Sequence, residues 1–393
     1  MKHAKTAAVK REKMNNYCTK LICVEQKPQE PWRLFFGDNG NFLRIDRCDY
    51  PVFQNLYEKA FSDFWTHKVV DFSKDAIGWE TLDEKAKRMF LLNNGYQALM
   101  DSGVTSLFGY FAEVCTNTEL KVLYKYNDQN ESIHAISYSY GLAQMFGNQA
   151  EYMIDIVYRD PVVQKRMKDE VEVSEEFLQY VIYQKNSDHK AKVLLLKEMM
   201  ATYFLEAIKF PFSFFVTWRI NEGNNNAIQG FSQLLKLIAH DELTTHAVTH
   251  PNVFKILKKE KRQGFFEAIE EVKPWIVEYT QHVAEQEMEW CEYLFAEGDV
   301  NGFTKEMGMH FIRFYTDRAL KKIDFDPIYN EKSSDIIEWY ERYRNINLQN
   351  AALQEVSNIA YQKGVTKDDL HLLDLEFEED INLAKKKLET LNS

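Results

Sequence analysis

Glu131-Ser-Ile-His134-Ala-Ile-Ser-Tyr138, read together with Asp241-Glu242-Leu-Thr-Thr-His246, decides how this chain folds. At about 100° per residue, Glu131, His134 and Tyr138 fall at 0°, about −60° and about −20° around a helix, so acid, imidazole and phenol share one stripe. Glu242 and His246, four residues apart, also share a face. Two such helices leave a pair of divalent metals short of ligands, so further acidic residues should project from other helices into the same apolar interior. Asp101, closing Phe90-Leu-Leu-Asn-Asn-Gly-Tyr-Gln-Ala-Leu-Met-Asp101, is one such residue. Glu206, in Tyr203-Phe-Leu-Glu206-Ala-Ile-Lys-Phe-Pro-Phe-Ser-Phe-Phe215, is the other. A lone buried carboxylate is costly and tends to protonate; a metal or a buried cation is the physical remedy.

Either Glu/His pair alone is an ordinary solvated helix face. Both pairs with Asp101 and Glu206 make the ligand inventory of di-iron and di-manganese carboxylate bundles, so the set matches a pattern already described. Carboxylates with one imidazole per metal suit iron or manganese better than thiolate-seeking ions, and zinc is chemically admissible. Tyr138 is one of 21 tyrosines and by frequency a core residue. Beside two oxidisable metals, a phenol can lose an electron and a proton together. Phe210, Phe214 and Ile238 could wall off the resulting radical, although such residues more often only fill a core.

The bulk composition agrees with a helical chain. Only 15 Gly and 8 Pro occur in 393 residues, with 45% apolar and 14% aromatic residues, against usual Gly and Pro usage of roughly 7% and 5%. A net charge of −12 argues against nucleic-acid and anionic-membrane partners, which favour basic faces. Cys18, Cys23, Cys48, Cys115 and Cys291 are odd in number and contain no C-x-x-C, so no disulfide scaffold or structural zinc site is indicated. A polar, basic N-terminus without an apolar segment fits a cytoplasmic, unexported protein with no membrane span.

Residues 1–45 read as an irregular arm, 46–345 as an all-α dimetal domain, and 346–393 as a polar tail suited to docking on a partner. Thr81-Leu-Asp-Glu84 reads as a capping box for a helix to about Ser102, with Asn94, Gln97 and Asp101 as a polar stripe aimed at the site. Further helices are expected near 50–66, 104–124, 130–147, 150–169, 172–220, 225–257, 261–296 and 302–321, with breaks at Gly147-Asn148, Asp160-Pro161, Glu222 to Asn226 and Gly298-Asp299.

Tyr96-Gln-Ala-Leu-Met-Asp101-Ser, Glu131-Ser-Ile-His134-x-x-x-Tyr138, Glu206-Ala-Ile-Lys-Phe210, Ile238-Ala-His-Asp241-Glu242 and Gln354-Glu-Val-Ser-x-x-x-Tyr361 resemble the small, radical-generating subunit of class I ribonucleotide reductase along nearly the whole chain. The resemblance implies a ferritin-like helical bundle. It implies Asp101, Glu131 and His134 on one metal and Glu206, Glu242 and His246 on the other, as a diiron-oxo centre or with manganese on the same ligands. Tyr138 would hold the stable radical, with Phe210, Phe214 and Ile238 about it. Trp65, in Phe61-Ser-Asp-Phe-Trp65, would carry electrons, and Asp241 would hydrogen-bond between Trp65 and His134. Tyr361 would pass the oxidising equivalent to a large (alpha) subunit, docked through the tail, where ribonucleotides become deoxyribonucleotides. A homodimer is also implied. The chain departs from the family in Glu242-x-x-x-His246, where Thr245 takes the usual histidine position. The extra residue predicts a π-bulge or a shifted rotamer. His240 stands where the family commonly has arginine.

Three other readings use the same residues differently. A ferritin-like metal-storage protein needs the carboxylates and histidines but not Tyr138, Trp65 or Tyr361. Another dimetal oxygenase, a hydroxylase or desaturase, would oxidise a substrate by itself. A metal-free scaffold would pair Asp101 and Glu206 with a buried base such as Lys209.

Overall fold

The computed structural model describes residues 33–37, 43 and 48–345. Helices dominate it in the order α1 Pro51–Ser62, α2 Asp75–Thr81, α3 Glu84–Val104, α4 Leu107–Val114, α5 Thr118–Phe146, α6 Ala150–Tyr158, α7 Pro161–Phe177, α8 His189–Phe204, α9 Phe210–Gly223, α10 Gln229–Asp241, α11 Ala247–Lys259, α12 Phe266–Leu294, α13 Lys305–Lys322 and α14 Asp335–Tyr343. Three π-helical segments interrupt or extend them: Leu178–Tyr183 after α7, Leu205–Lys209 between α8 and α9, and Glu242–His246 between α10 and α11.

Side chains that satisfy the first free N–H groups set the helix starts. Asp83 accepts from Ala86 N at 2.8 Å, Asn117 from Leu120 N at 2.9 Å, Asp160 from Val162 N at 2.9 Å and Asp188 from Ala191 N at 2.9 Å. At Asp160 the cap is followed by Pro161, whose missing N–H costs nothing in the first turn. The Asp160 cap falls at the expected Asp160-Pro161 break, and the other three correct expected boundaries. Asp83, not Thr81, opens α3, and Thr81 closes α2 by donating to Gly78 O. The break before the Glu131 helix falls at Asn117, so the polar run 125–129 is helix interior, where Asp128 accepts from Gly109 N at 2.9 Å and ties α4 to α5. The chain does not break near 170. The turn lies at 184–188, where Asp188 restarts the helix as α8. Short α2 and α14 were not expected at all.

Four rods build the interior that matters: α3, α5, the α8–α9 pair and the α10–α11 pair. α3 packs on α5 and α9, α10 packs on α5, and the π segments Leu205–Lys209 and Glu242–His246 touch each other. Pro211, two residues past the first π segment, cannot donate to the carbonyl one turn back; a widened turn just before it relieves the clash a regular helix would suffer. In the second, Thr244 and Thr245 donate to the carbonyls of His240 and Asp241 at 2.6 and 2.7 Å, so hydroxyls take over carbonyls of the altered turn.

Buried ion pairs hold the outer helices. Arg166 on α7 forms two bonds to Glu287 on α12, at 2.7 and 2.6 Å, beneath the Tyr96 and Trp290 rings. Lys209 pairs with Glu170 and Gln286 and donates to Arg166 O. Part of the expected irregular arm is tied in: Leu34 and Phe35 are buried, and Thr116 N donates to Leu34 O at 2.8 Å. Among the described residues, His189–Gly223 is the one helix long and apolar enough to cross a membrane, and its most apolar 18-residue stretch is wholly buried in the core.

Candidate metal centre

Glu131, His134, Glu242 and His246 are all buried, and one ligand atom from each lies within 4.8 Å of the others. His134 Nδ1 is 3.0 Å from Glu242 Oε1 and 3.6 Å from Glu131 Oε2. His246 Nδ1 is 2.8 Å from Glu131 Oε1 and 2.9 Å from Glu242 Oε2. The expected π-bulge is there, and it turns His246 into the same space as His134 despite the extra residue. His250 instead lies against the Phe108, Phe111 and Tyr124 rings.

Asp101 and Glu206 complete the set electrostatically. Neither carboxylate receives an N–H or O–H donor from the described residues. Burial, and then the charge of Glu131, holds the Asp101 carboxyl well above the usual range. Burial, and then the Glu242 carboxylate it meets, does the same for Glu206. Burial also works against ionised Glu242, but His246 and its other neighbours outweigh it and keep that group well below the usual range. The metal-free alternative fails here, because Lys209 is committed to Glu170 and Arg166 to Glu287. The carboxylates of Asp101, Glu131, Glu206 and Glu242 would balance two divalent cations, which is the physical fit of this donor set to a metal pair.

Asp241 organises one flank. Trp65 Nε1 donates to its Oδ2 at 2.7 Å, His134 Nε2 lies 3.2 Å from the same oxygen, and the two rings stack at 5.8 Å and 18°. His240 Nε2 meets Asp63 Oδ2 at 2.9 Å, so neighbouring residues of α10 grip both ends of the Asp63–Trp65 turn. Sequence reasoning named His240 only as a departure. Its signal was the pairing of a basic residue before Asp241 with an acid two residues before Trp65.

Tyr138 is fully buried, and its hydroxyl has no hydrogen-bond partner among the described residues. Burial, then the charges of Asp101, Glu242 and Glu131, holds its phenol well above the usual range, and Tyr138 shares the buried stripe of α5 with Glu131 and His134. Phe210, Phe214 and Ile238 belong to the same buried apolar cluster as Tyr138. Asn94 does not face the site, since it bonds Phe90 O and Thr217 Oγ1. Gln97, buried with neither amide atom partnered among the described residues, is the nearer member of that stripe. Asn127 and Tyr124 were not expected near the centre; His250 is the imidazole that could have replaced His246 beside Glu242, and the structure gives that place to His246. Tyr361 lies outside the described residues.

Comparison with known proteins gives the same answer. The family model for the ribonucleotide reductase small chain matches residues 43–335. A Buchnera aphidicola subsp. Schizaphis graminum protein, ribonucleoside-diphosphate reductase subunit beta, is 27% identical over 86% of this chain and 93% of its own. Of solved structures, the ribonucleotide reductase R2 subunit from Clostridium botulinum superposes with a TM-score of 0.72 at 22% identity, covering 84% of this chain and all of its own. Dimanganese(II)-NrdF from Streptococcus sanguinis gives a TM-score of 0.63 at 21% identity, covering 77% and 99%. These two carry the fold, a helical bundle of the ferritin-like kind. A match across most of the chain, met by two glutamates and two histidines buried around one point, means that the chain belongs to the ribonucleotide reductase small-chain family and is the dimetal subunit of that oxidoreductase.

Proposed function

We propose that Asp101, Glu131 and His134 hold one metal ion and Glu206, Glu242 and His246 the other, and that Tyr138 carries the radical the large subunit uses. When bound, the metal pair supplies the dioxygen-dependent oxidising power that no side chain of this protein has by itself. The chain's own residues do the rest. The four carboxylates and two imidazoles fix the cations in a dry interior, and the Phe210, Phe214 and Ile238 cluster keeps water and reductants from the Tyr138 ring. Asp241 orients His134 through Nε2 and leaves Nδ1 turned toward Glu131 and Glu242, where it would be free to hold a metal ion. The Trp65–Asp241–His134 contacts would give an electron a hydrogen-bonded way into the site as the oxidising equivalent leaves it.

The observation that carries this reading is the convergence of four buried ligand residues within 4.8 Å beside an unpartnered phenol. A storage protein has no use for the Trp65 contact or for a sealed tyrosine. Iron is the metal we assign, with manganese accepted by the same ligands. The relative's name supports ribonucleoside diphosphates as substrates of the assembled enzyme. We assign 46–345 as the dimetal domain and 346–393, with Tyr361, as the segment that engages the large subunit of a cytoplasmic, homodimeric small chain. Electron paramagnetic resonance after addition of ferrous iron and dioxygen tests the core of this. The parent should give a tyrosyl signal and Tyr138→Phe should lose it while still binding two irons per chain. A tyrosyl signal that persists in the variant removes Tyr138 from the role.

A further inference from the structure

A cavity of about 340 Å³ opens between α3, α4, α7 and α8, away from the Trp65 flank. Its walls are mostly apolar, with Met100, Val104 and Leu205 among them, yet three glutamates line it: exposed Glu175 at the rim, and Glu170 and Glu198, which are buried. Glu198 is 1% exposed; Ser174 donates to its Oε1 at 2.9 Å, and its Oε2 has no hydrogen-bond partner among the described residues. Glu170 is 8% exposed; it pairs with Lys209, and its Oε2 is likewise unpartnered.

The position of Glu198 gives the cavity a direction. Glu198, Thr202 and Glu206 follow at four-residue steps along α8 into its π segment, so a carboxylate, a hydroxyl and a carboxylate lie along one side of the rod. Glu198 and Thr202 line the cavity, and Glu206 lies about 12 Å further along the axis at 1.5 Å per residue. Met100 and Leu205, also lining it, are sequence neighbours of Asp101 and Glu206. The cavity therefore reaches the residues next in sequence to the two acids that have no donor, without being lined by those acids themselves.

We propose that this cavity is an uptake site for divalent cations, in which Glu198, helped by Glu170, takes the ion from solvent before it passes Thr202 to Glu206. The inference rests on the dinuclear reading above. Unpartnered carboxylate oxygens in a low-dielectric wall attract a divalent cation strongly. Lys209 offsets the charge of Glu170, so the ion is held loosely and released inward. Burial, with Glu170 adding to it, pushes the Glu198 carboxyl up to about 8, so an arriving cation displaces a proton and binds more weakly still.

Manganese(II) is the probe. Apo full-length chain is titrated with Mn²⁺, the free ion being read from its six-line resonance, and uptake is followed after rapid mixing. The parent should take up two tight ions and one weaker third ion, with anomalous scattering from that third ion in the cavity. Glu198→Gln should lose the third ion and load the tight pair about tenfold more slowly, since a charged cleft raises on-rates by at least that factor. The final count of two should not change. Ala201→Phe, which fills the cavity while leaving both buried carboxylates in the sequence, should do the same and guards against a local fault in the first variant. Loading at the parent rate in both variants sinks the uptake site alone. A parent that takes up no tight pair sinks the dinuclear reading and this inference with it.

Discussion

His134 and His246 face one another across the site, yet their outer nitrogens meet different surroundings. His134 Nε2 and Trp65 Nε1 converge on Asp241 Oδ2, and Asp63 and His240 fasten the Trp65 turn from outside. His246 Nε2 has no hydrogen-bond partner among the described residues. Beyond it lie His250, Tyr124 and Asn127, which are fully buried with unpartnered polar atoms. Tyr124, Asn127 and Glu131 follow one stripe of α5. Tyr124 meets His250 with ring centroids 5.7 Å apart and Glu131 meets His246 at 2.8 Å, so Asn127 sits level with the gap between the two histidines. A metal-ligating histidine is normally fixed by what its second nitrogen donates to. Only the His134 flank has that fixture, and the same fixture reaches an indole. The hydrogen bonds that fix a histidine are thus concentrated on one side, while the other side is shape and packing.

Asp241→Ala breaks that asymmetry most severely, because one carboxylate oxygen serves both His134 and Trp65. Losing such an outer partner costs about 10–100-fold in metal affinity or activity. We expect turnover with the large subunit to fall by at least that range and Mn²⁺ affinity to fall with it. His250→Phe, the matching change on the other flank, should move Mn²⁺ affinity by less than about threefold. Equal losses from the two variants would show that the flanks are equivalent.

Trp65→Phe sharpens the same contrast. The ring remains but the N–H that reaches Asp241 at 2.7 Å is gone. If Trp65 conducts, turnover should drop by about 100-fold or more, in line with removal of an essential positioned group, while the bound-metal count and the tyrosyl signal persist. A variant that loses metal and turnover together would make Trp65 a packing residue that supports His134.

The sequence made the inner site legible and left its setting obscure, for physical reasons. Acids in apolar runs stand out because burial without compensation is expensive, so Asp101 and Glu206 were visible without any contact information. The π-bulge was visible because a four-residue Glu242-to-His246 spacing has to be absorbed somewhere. Helix boundaries depended on which polar residue caps and which ties two rods together. Asp83 and Asp128 are equally good candidates by type, and only packing separates them. Glu170 and Glu198 escaped notice because charged neighbours, Lys168 and Glu172 around the first and Lys197 beside the second, make each read as part of a solvated face. Their burial comes from α7 and α8 closing on one another, which no local pattern announces.

The smallest expected effect isolates the unpartnered flank by itself. Burial, with His246 adding to it, holds the His250 imidazole down at about 3, so in the folded protein it stays neutral far below its ordinary value of 6.5. In the unfolded chain it takes a proton near that ordinary value. Between about pH 6.5 and 3 the unfolded state therefore binds more protons than the folded one, and stability is lost as pH falls through that window; above about 6.5 the group contributes no slope. His250→Phe removes the linkage along with two unpartnered nitrogens, and the Phe108, Phe111 and Tyr124 rings already offer an aromatic cage. Apo-protein thermal melts should accordingly show the variant at or slightly above the parent at pH 7.5. Its advantage should grow by about 2 kcal/mol, or a few degrees, by pH 5. A constant difference across that range would mean that His250 finds a proton partner in the folded state, and the flank would then be wired after all.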